Sequence, residues 1–363
     1  MPKNIAICCD GTGEEFGDNN SNVVKIYSLL ENSARQVTYY HPGLGTMGSR
    51  FAPTKLGRFW SKLKGLAFGA GLMDNVSDAY VFLMNEYEDG DAVYLFGFSR
   101  GAYTVRALAA FLHMFGLMRK GNDSLVPYAI RRFRTRVRNK HTFELDNNFK
   151  KTFSRECRPH FLGVWDTVSS VGWIYDPLHL PYTAHNPDIV IGRHAVSIDE
   201  RRCQFRQNLW TSAPGQDSKQ LWFAGTHCDV GGGLGPSNAG LSDITLRWMF
   251  DEATNAGLLA THAPDSVGDP SSPIHPSLTR IWWLLEILPK RYVDMSCTPL
   301  QVRWRIPLSS RRWMADGSVL HRSVEERMKN SGYNPANLPK TYTFEGTVLA
   351  PCKSKTATEG LPS

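Results

Sequence analysis

The chain is 363 residues long, 42% hydrophobic and 21% charged, a composition that supplies a sizeable core and excludes disorder of the whole chain. Lys and Arg total 41 against 34 Asp and Glu, a formal charge of +7; this mild pull toward anionic partners is shared by ordinary enzymes and does not make a nucleic-acid binder. The seven cysteines include no C-x-x-C pair, which argues against a disulfide framework or a zinc ribbon.

Asn4 to Cys9 (NIAICC) is a continuous apolar run that stops at Asp10-Gly11-Thr12, as a central strand feeding a turn does. No small-residue cleavage site follows it, so the expectation is a chain made in a reducing cytoplasm without a signal peptide, any export being left to a dedicated secretion system. A helix is expected over Asn22 to Leu30, a strand over Gln36 to Tyr40, and a helix over Leu72 to Tyr87, where Val76, Ala79, Tyr80, Leu83 and Met84 keep the 3.6 period. Asp91 to Phe96 (DAVYLF) is the most strand-like segment and runs through Gly97 to Gly101 into an Ala-rich helix, Ala102 to Phe115. Phe161 to Trp165 and Gln220 to Ala224 are two further buried strands. Ile281 to Leu288 (IWWLLEIL) is apolar but interrupted by Glu286 and far too short to cross a bilayer.

Strands alternating with helices predict an α/β fold, a mostly parallel central sheet with helices on both faces. The expected organisation is one domain over 1–350 with insertions at about 119–160 and 173–215, then a flexible tail at 351–363. The first insertion holds an arginine-rich stretch, Arg131 to Arg138. Pro177 to Asn208 reads as loop-like, and Ala263 to Pro276 as a mobile surface loop.

Gly97-Phe98-Ser99-Arg100-Gly101 is a G-x-S-x-G directly after an apolar strand and before a helix, the context in which that pattern holds a serine nucleophile. A serine needs a base and an orienting acid. Asp166 ends the strand FLGVW, and His227 ends LWFAG beside Val-Gly-Gly-Gly, giving the order Ser99, Asp166, His227. His321, ahead of a helix, is the rival base. The glycines beside His227 favour it, by leaving room for the serine or a substrate to approach. Backbone N–H groups of Arg100 and of Gly11 or Thr12 would form the oxyanion hole, since the turn after the first strand should lie beside the serine turn. Asp10 and Asp229 have no derivable catalytic role and are expected to hold loops in place. Two other patterns carry little. Cys8 stands where an aspartyl nucleophile of a D-x-D-G-T motif would be, and Gly43-x-Gly45-x-x-Gly48 is not followed by an obvious helix.

Taken together, Cys9 to Thr12, Tyr40 to Thr46, Gly97 to Tyr103 (GFSRGAY), Val164 to Val168, Ile198 to Arg202 (IDERR) and His227 to Gly233 (HCDVGGG) resemble the α/β-hydrolase family DUF2235, which includes the catalytic domains of Tle1-type phospholipase effectors of type VI secretion. The resemblance implies an α/β-hydrolase-like serine esterase with Ser99, Asp166 and His227 on the triad motifs, and a phospholipase less directly. The expected function is hydrolysis of carboxylic esters, of lipids first and of soluble small esters or thioesters as the alternative. No cofactor, metal or nucleic acid is expected; the expected partners are a lipid or other ester substrate and the surface of an anionic membrane. A non-enzymatic module binding anionic partners through the arginines is the reading from another class.

Overall fold

The computed structural model describes residues 2–11, 17, 19–43, 70–135, 140–168, 172–173, 176–177, 180–294 and 301–345. In chain order the first half holds β1 (Asn4–Cys9), α1 (Asn22–Leu29), β2 (Gln36–His41), α2 (Ala70–Glu86), β3 (Ala92–Phe98), α3 (Arg100–Phe115), β4 (Leu117–Met118), α4 (Val126–Phe133), α5 (Lys140–Phe153), β5 (Ser154–Arg155) and β6 (Pro159–Trp165). The second half holds β7 (Gly172–Trp173), β8 (Asp176–Pro177), β9 (Ile191–Ser197), β10 (Asp217–Phe223), α6 (His227–Gly231), α7 (Gly240–Asn255), α8 (Arg280–Glu286), β11 (Lys290–Asp294), β12 (Gln301–Arg305), β13 (Ser318–Leu320), α9 (Arg322–Ser331) and β14 (Tyr342–Phe344).

Eight strands form one sheet in the order β14-β13-β10-β9-β6-β3-β1-β2, every described pairing parallel. A parallel sheet must be covered on both faces, so its strands are near-continuous apolar runs that send alternate side chains into two cores. In β3, Val93 and Leu95 enter the core under α2 and α3, while Tyr94, Phe96 and Phe98 enter the opposite core under α1 and α7. Burying each such side chain contributes roughly 1.5–3 kcal/mol. Helix α3 is apolar nearly all round because it lies between the sheet and α2 and α5.

The order has one reversal, at β1, whose chain continues to β2 on one side while β3 lies on the other. Ligands of open parallel sheets bind beyond the strand carboxyl ends at such a reversal. Ser99 follows β3 at that point, and Asp10 follows β1 beside it.

The Pro177 to Asn208 segment is not loop throughout, because it contains β9, a strand in the middle of the sheet. Gly192, Arg193 and His194 broke the apolar signal in IGRHAVS. Arg193 and His194 are buried because they are paired, Arg193 with Asp217 and Glu252 and His194 with Gln220. Ala263 to Pro276 is a loop, but an anchored one. Arg327 donates to the carbonyls of Pro270 and Ser272, and the His275 N–H donates to Asp229. Gly45, Gly48 and the 351–363 tail lie outside the described residues. No helix among those residues is long and apolar enough to cross a membrane.

Candidate active site

The turn after β3 explains the pattern Gly-x-Ser-x-Gly. Ser99 has φ 58° and ψ −117°, a strained conformation that lifts its side chain off the end of the strand. The flanking glycines are dictated by close approach. A Cβ on Gly97 would stand 2.5 Å from the Gly101 carbonyl oxygen, and one on Gly101 only 2.1 Å from that of Cys9. The Ser99 N–H donates to the Trp165 carbonyl at 3.1 Å, which fixes the turn against β6.

Three residues distant in sequence converge there. His227 Nε2 lies 2.9 Å from Ser99 Oγ, and His227 Nδ1 lies 2.5 Å from Asp166 Oδ2. His227 opens the short helix α6, held by a capping box in which Thr226 and Asp229 satisfy each other's backbone N–H groups. The imidazole is gripped by aromatic rings, Phe98 at 4.5 Å and Phe205 edge-on at 4.8 Å. Gly231 makes that packing possible, since a Cβ there would meet the Phe98 ring at 1.9 Å, and Gly232 sits against the backbone of Ser21 and Asn22. These glycines, read from sequence as room for serine or substrate, are thus occupied by the protein itself. His321 is elsewhere: it caps α9, bonds Ser323 and stacks on Phe223.

Asp166 is fully buried at φ 38°. Its Oδ1 accepts the Ser197 N–H at 2.9 Å, and the Arg312 guanidinium grips both oxygens, at 2.5 and 3.0 Å. Burial alone would raise the carboxyl pKa, but Arg312 and the His227 bond overcome it and hold the group well below the usual carboxylate range. Burial lowers the pKa of His227, against the opposing pull of Asp166, so the imidazole is neutral near pH 7 and free to accept a proton. Arg312 was missed from sequence. It sits in a surface-like stretch, Ser309 to Arg312, 146 residues from its partner.

Glu200 was quoted within the IDERR motif without a role, and the structure gives it several contacts. Its carboxylate accepts the backbone N–H groups of His227 (3.2 Å), Arg201 (3.0 Å) and Arg202 (2.8 Å), the Arg202 side chain, and the Ser277 hydroxyl. Burial opposes ionisation here too, but Arg202 and the other donors bring its pKa down to about 2.

Asp10 accepts the Ser21 hydroxyl at 2.6 Å and the Tyr40 hydroxyl at 3.0 Å, tying the β1 turn to the start of α1 and to β2. It also accepts the Gly11 N–H at 2.7 Å, so that expected oxyanion donor is engaged. Gly11 does lie beside the serine, where a Cβ would stand 3.3 Å from Ser99 Cβ. Thr12 lies outside the described residues, and Arg100 is the first residue of α3. Asp229 spends its carboxylate on Thr226 and on His275, whose Nδ1 is 2.7 Å away. In the arginine-rich stretch Arg132 pairs with Asp146 and Arg131 and Arg134 are exposed, while Arg136 and Arg138 lie outside the described residues.

The sequence model of the family described as "T6SS, Phospholipase effector Tle1-like, catalytic domain" matches residues 3–252. The chain belongs to this family. The Tle1-like match takes in Ser99, Asp166, Glu200 and His227, and ends before Arg312. An uncharacterized Saccharomyces cerevisiae protein, YEL023C, is 40% identical over 227 residues, 58% of this chain and 33% of that protein. The chain thus spans about a third of that relative's length. Two solved structures resemble it more remotely. One is an uncharacterized Pseudomonas aeruginosa protein with TM-score 0.43 and 20% identity, over 74% of this chain and 47% of that one. The other is a Tle1 effector bound to the VgrG spike of a type VI secretion system, with TM-score 0.35 and 18% identity, over 66% and 53%.

Proposed function

We propose that this Tle1-like chain is a serine hydrolase that cleaves carboxylic esters of lipids, a phospholipase A-type esterase. The observation that carries the reading is the unbroken series of hydrogen bonds from Ser99 Oγ through His227 to a buried, ionised Asp166. Ser99 Oγ attacks the ester carbonyl as its proton passes to His227 Nε2, and the imidazolium returns that proton to the departing alcohol. Water then attacks the acyl-enzyme with His227 again as base, releasing the acid. Asp166 keeps the Nδ1 proton in place and stabilises the imidazolium. The Arg100 N–H, at the start of α3, supplies one oxyanion donor. The second comes from the turn after β1: Thr12, or Gly11 shared with Asp10.

Lipid is favoured over a soluble ester by the family's description as phospholipase effectors, which also fits export by a secretion machine. The test is labelling by a fluorophosphonate probe, together with a mass-spectrometric product screen on phospholipids, neutral lipids and short aryl esters. Wild type is expected to be labelled and to release fatty acid from phospholipid, and Ser99→Ala to do neither. Equal turnover by Ser99→Ala, once contamination is excluded, overturns the mechanism. Turnover of aryl esters alone makes it a soluble-ester hydrolase, and no labelling at all leaves the binding module.

A further inference from the structure

The segment that supplies Arg312 also bears a broad apolar surface. On and just after α8, Trp283, Leu284, Ile287 and Leu288 are exposed, Leu284 by 64%; at and after β12, Trp304 is exposed by 61% and Leu308 by 60%. Backbone bonds make these one face. The Leu308 N–H donates to the Glu286 carbonyl at 3.1 Å, and the Ser309 N–H to the Glu286 carboxylate at 3.0 Å. Single exposed apolar side chains are ordinary, but six large ones on two elements joined at one buried carboxylate mark a surface with a partner.

Charge identifies the partner. Residues 280–313 contain seven Lys and Arg against two acids, Glu286 and Asp294. Glu286 is fully buried, its oxygens bound to the N–H groups of Cys203 and Ser309, and Lys290 and Arg312 are buried too, which leaves five arginines against Asp294 alone. Indoles and branched aliphatics among cations are the composition of a surface that sits at lipid headgroups, whereas the cores of protein interfaces are depleted in charge. The same segment reaches the triad. Trp282 packs edge-on against Phe205, which packs on His227, and Arg312 closes on Asp166.

We propose that this face docks on an anionic phospholipid surface and presents the Ser99 site to it, an inference that rests on the lipid-ester reading above. The test uses the full chain carrying Ser99→Ala, which leaves vesicles intact, in co-sedimentation with vesicles of phosphatidylcholine alone or with about one-third phosphatidylglycerol. Binding to the mixed vesicles is expected, weakening as salt rises. Leu284→Asn with Ile287→Asn, and separately Trp304→Ser with Leu308→Ser, should each weaken it about tenfold or more at unchanged thermal unfolding. No binding to either vesicle, or binding untouched by both pairs, overturns the proposal. So does a concentration-dependent dimer abolished by the same substitutions, which assigns the face to a second copy of the chain. Because the readout is binding by an inert protein, it separates from the product screen: hydrolysis with no docking removes the surface alone, and docking without hydrolysis removes the reaction alone.

Discussion

Replacing Arg312 with Gln removes the guanidinium that grips both oxygens of Asp166, the acid of the proposed triad, and the geometry sets the size of the effect. Arg312 and His227 Nδ1 bond the same oxygen, Asp166 Oδ2, at 3.0 and 2.5 Å, so the two nitrogens stand within about 5.5 Å of each other. At an effective dielectric of ~20, unit charges at that separation repel by about 3 kcal/mol. Arg312 therefore disfavours the imidazolium, and its loss should raise the His227 pKa. As about 1.4 kcal/mol corresponds to one pH unit, the acidic limb of kcat/KM should move up by about one to two pH units. The variant should also lose roughly 3–5 kcal/mol of stability, because half of a buried ion pair is left behind. The assay is a pH profile of kcat/KM on a soluble aryl ester, taken below each protein's unfolding temperature. Arg312→Lys keeps the charge and should keep the limb, while losing rate with the two-pronged grip. A folded Arg312→Gln whose acidic limb stays in place or moves down refutes the electrostatic argument and leaves Arg312 a merely structural brace.

His227→Ala should cost nearly as much activity as Ser99→Ala, with the double variant little worse, as groups acting as one unit do; His321→Ala should stay active while losing more than the ~1 kcal/mol of a helix cap, because its ring is buried against Phe223, read by thermal unfolding. Asp166→Asn should lower kcat by roughly 10⁴-fold, the size seen in the serine-protease case, and should also lower the unfolding temperature, because it leaves Arg312 buried without its carboxylate. Gly101→Ala should fail to accumulate as folded protein, since its methyl group would stand 2.1 Å from the Cys9 carbonyl oxygen; a soluble, active variant would contradict the turn geometry. Glu200 has a depressed folded pKa, so its contribution to stability is complete above its ordinary value of 4.5 and is lost as pH falls toward about 2. In Glu200→Gln, acid unfolding followed by circular dichroism should be shallower across that window.

The parts of the site legible in the sequence were those with a local signature. A serine between two glycines at a strand end, and an acid and a histidine at later strand ends, announce themselves because the backbone must turn there. What stayed hidden depended on contacts across the fold. β9 was masked by Arg193 and His194, polar residues whose partners lie on other elements. Arg312 looked like one more surface arginine, and Glu200 like one more member of a charged run. The glycines after His227 were noticed for the right reason, close approach, but the approaching groups were Phe98 and the start of α1. Ile281 to Leu288 reads in the sequence only as an apolar run too short to cross a bilayer; four of its side chains face outward.

The placement of Arg312 bears on how the protein comes into being on the ribosome. Ser99, Asp166 and His227 emerge in order, each at the end of a strand with one sheet neighbour still to be made, and the guanidinium that meets Asp166 is synthesised 146 residues after it. Until then the carboxylate of Asp166, destined for full burial, lacks that guanidinium, and a nascent chain that stops at residue 252, where the family match ends, has Ser99, Asp166 and His227 without the clamp. On the proposed mechanism, the site would be complete only once the stretch bearing the exposed tryptophans has folded back onto the sheet.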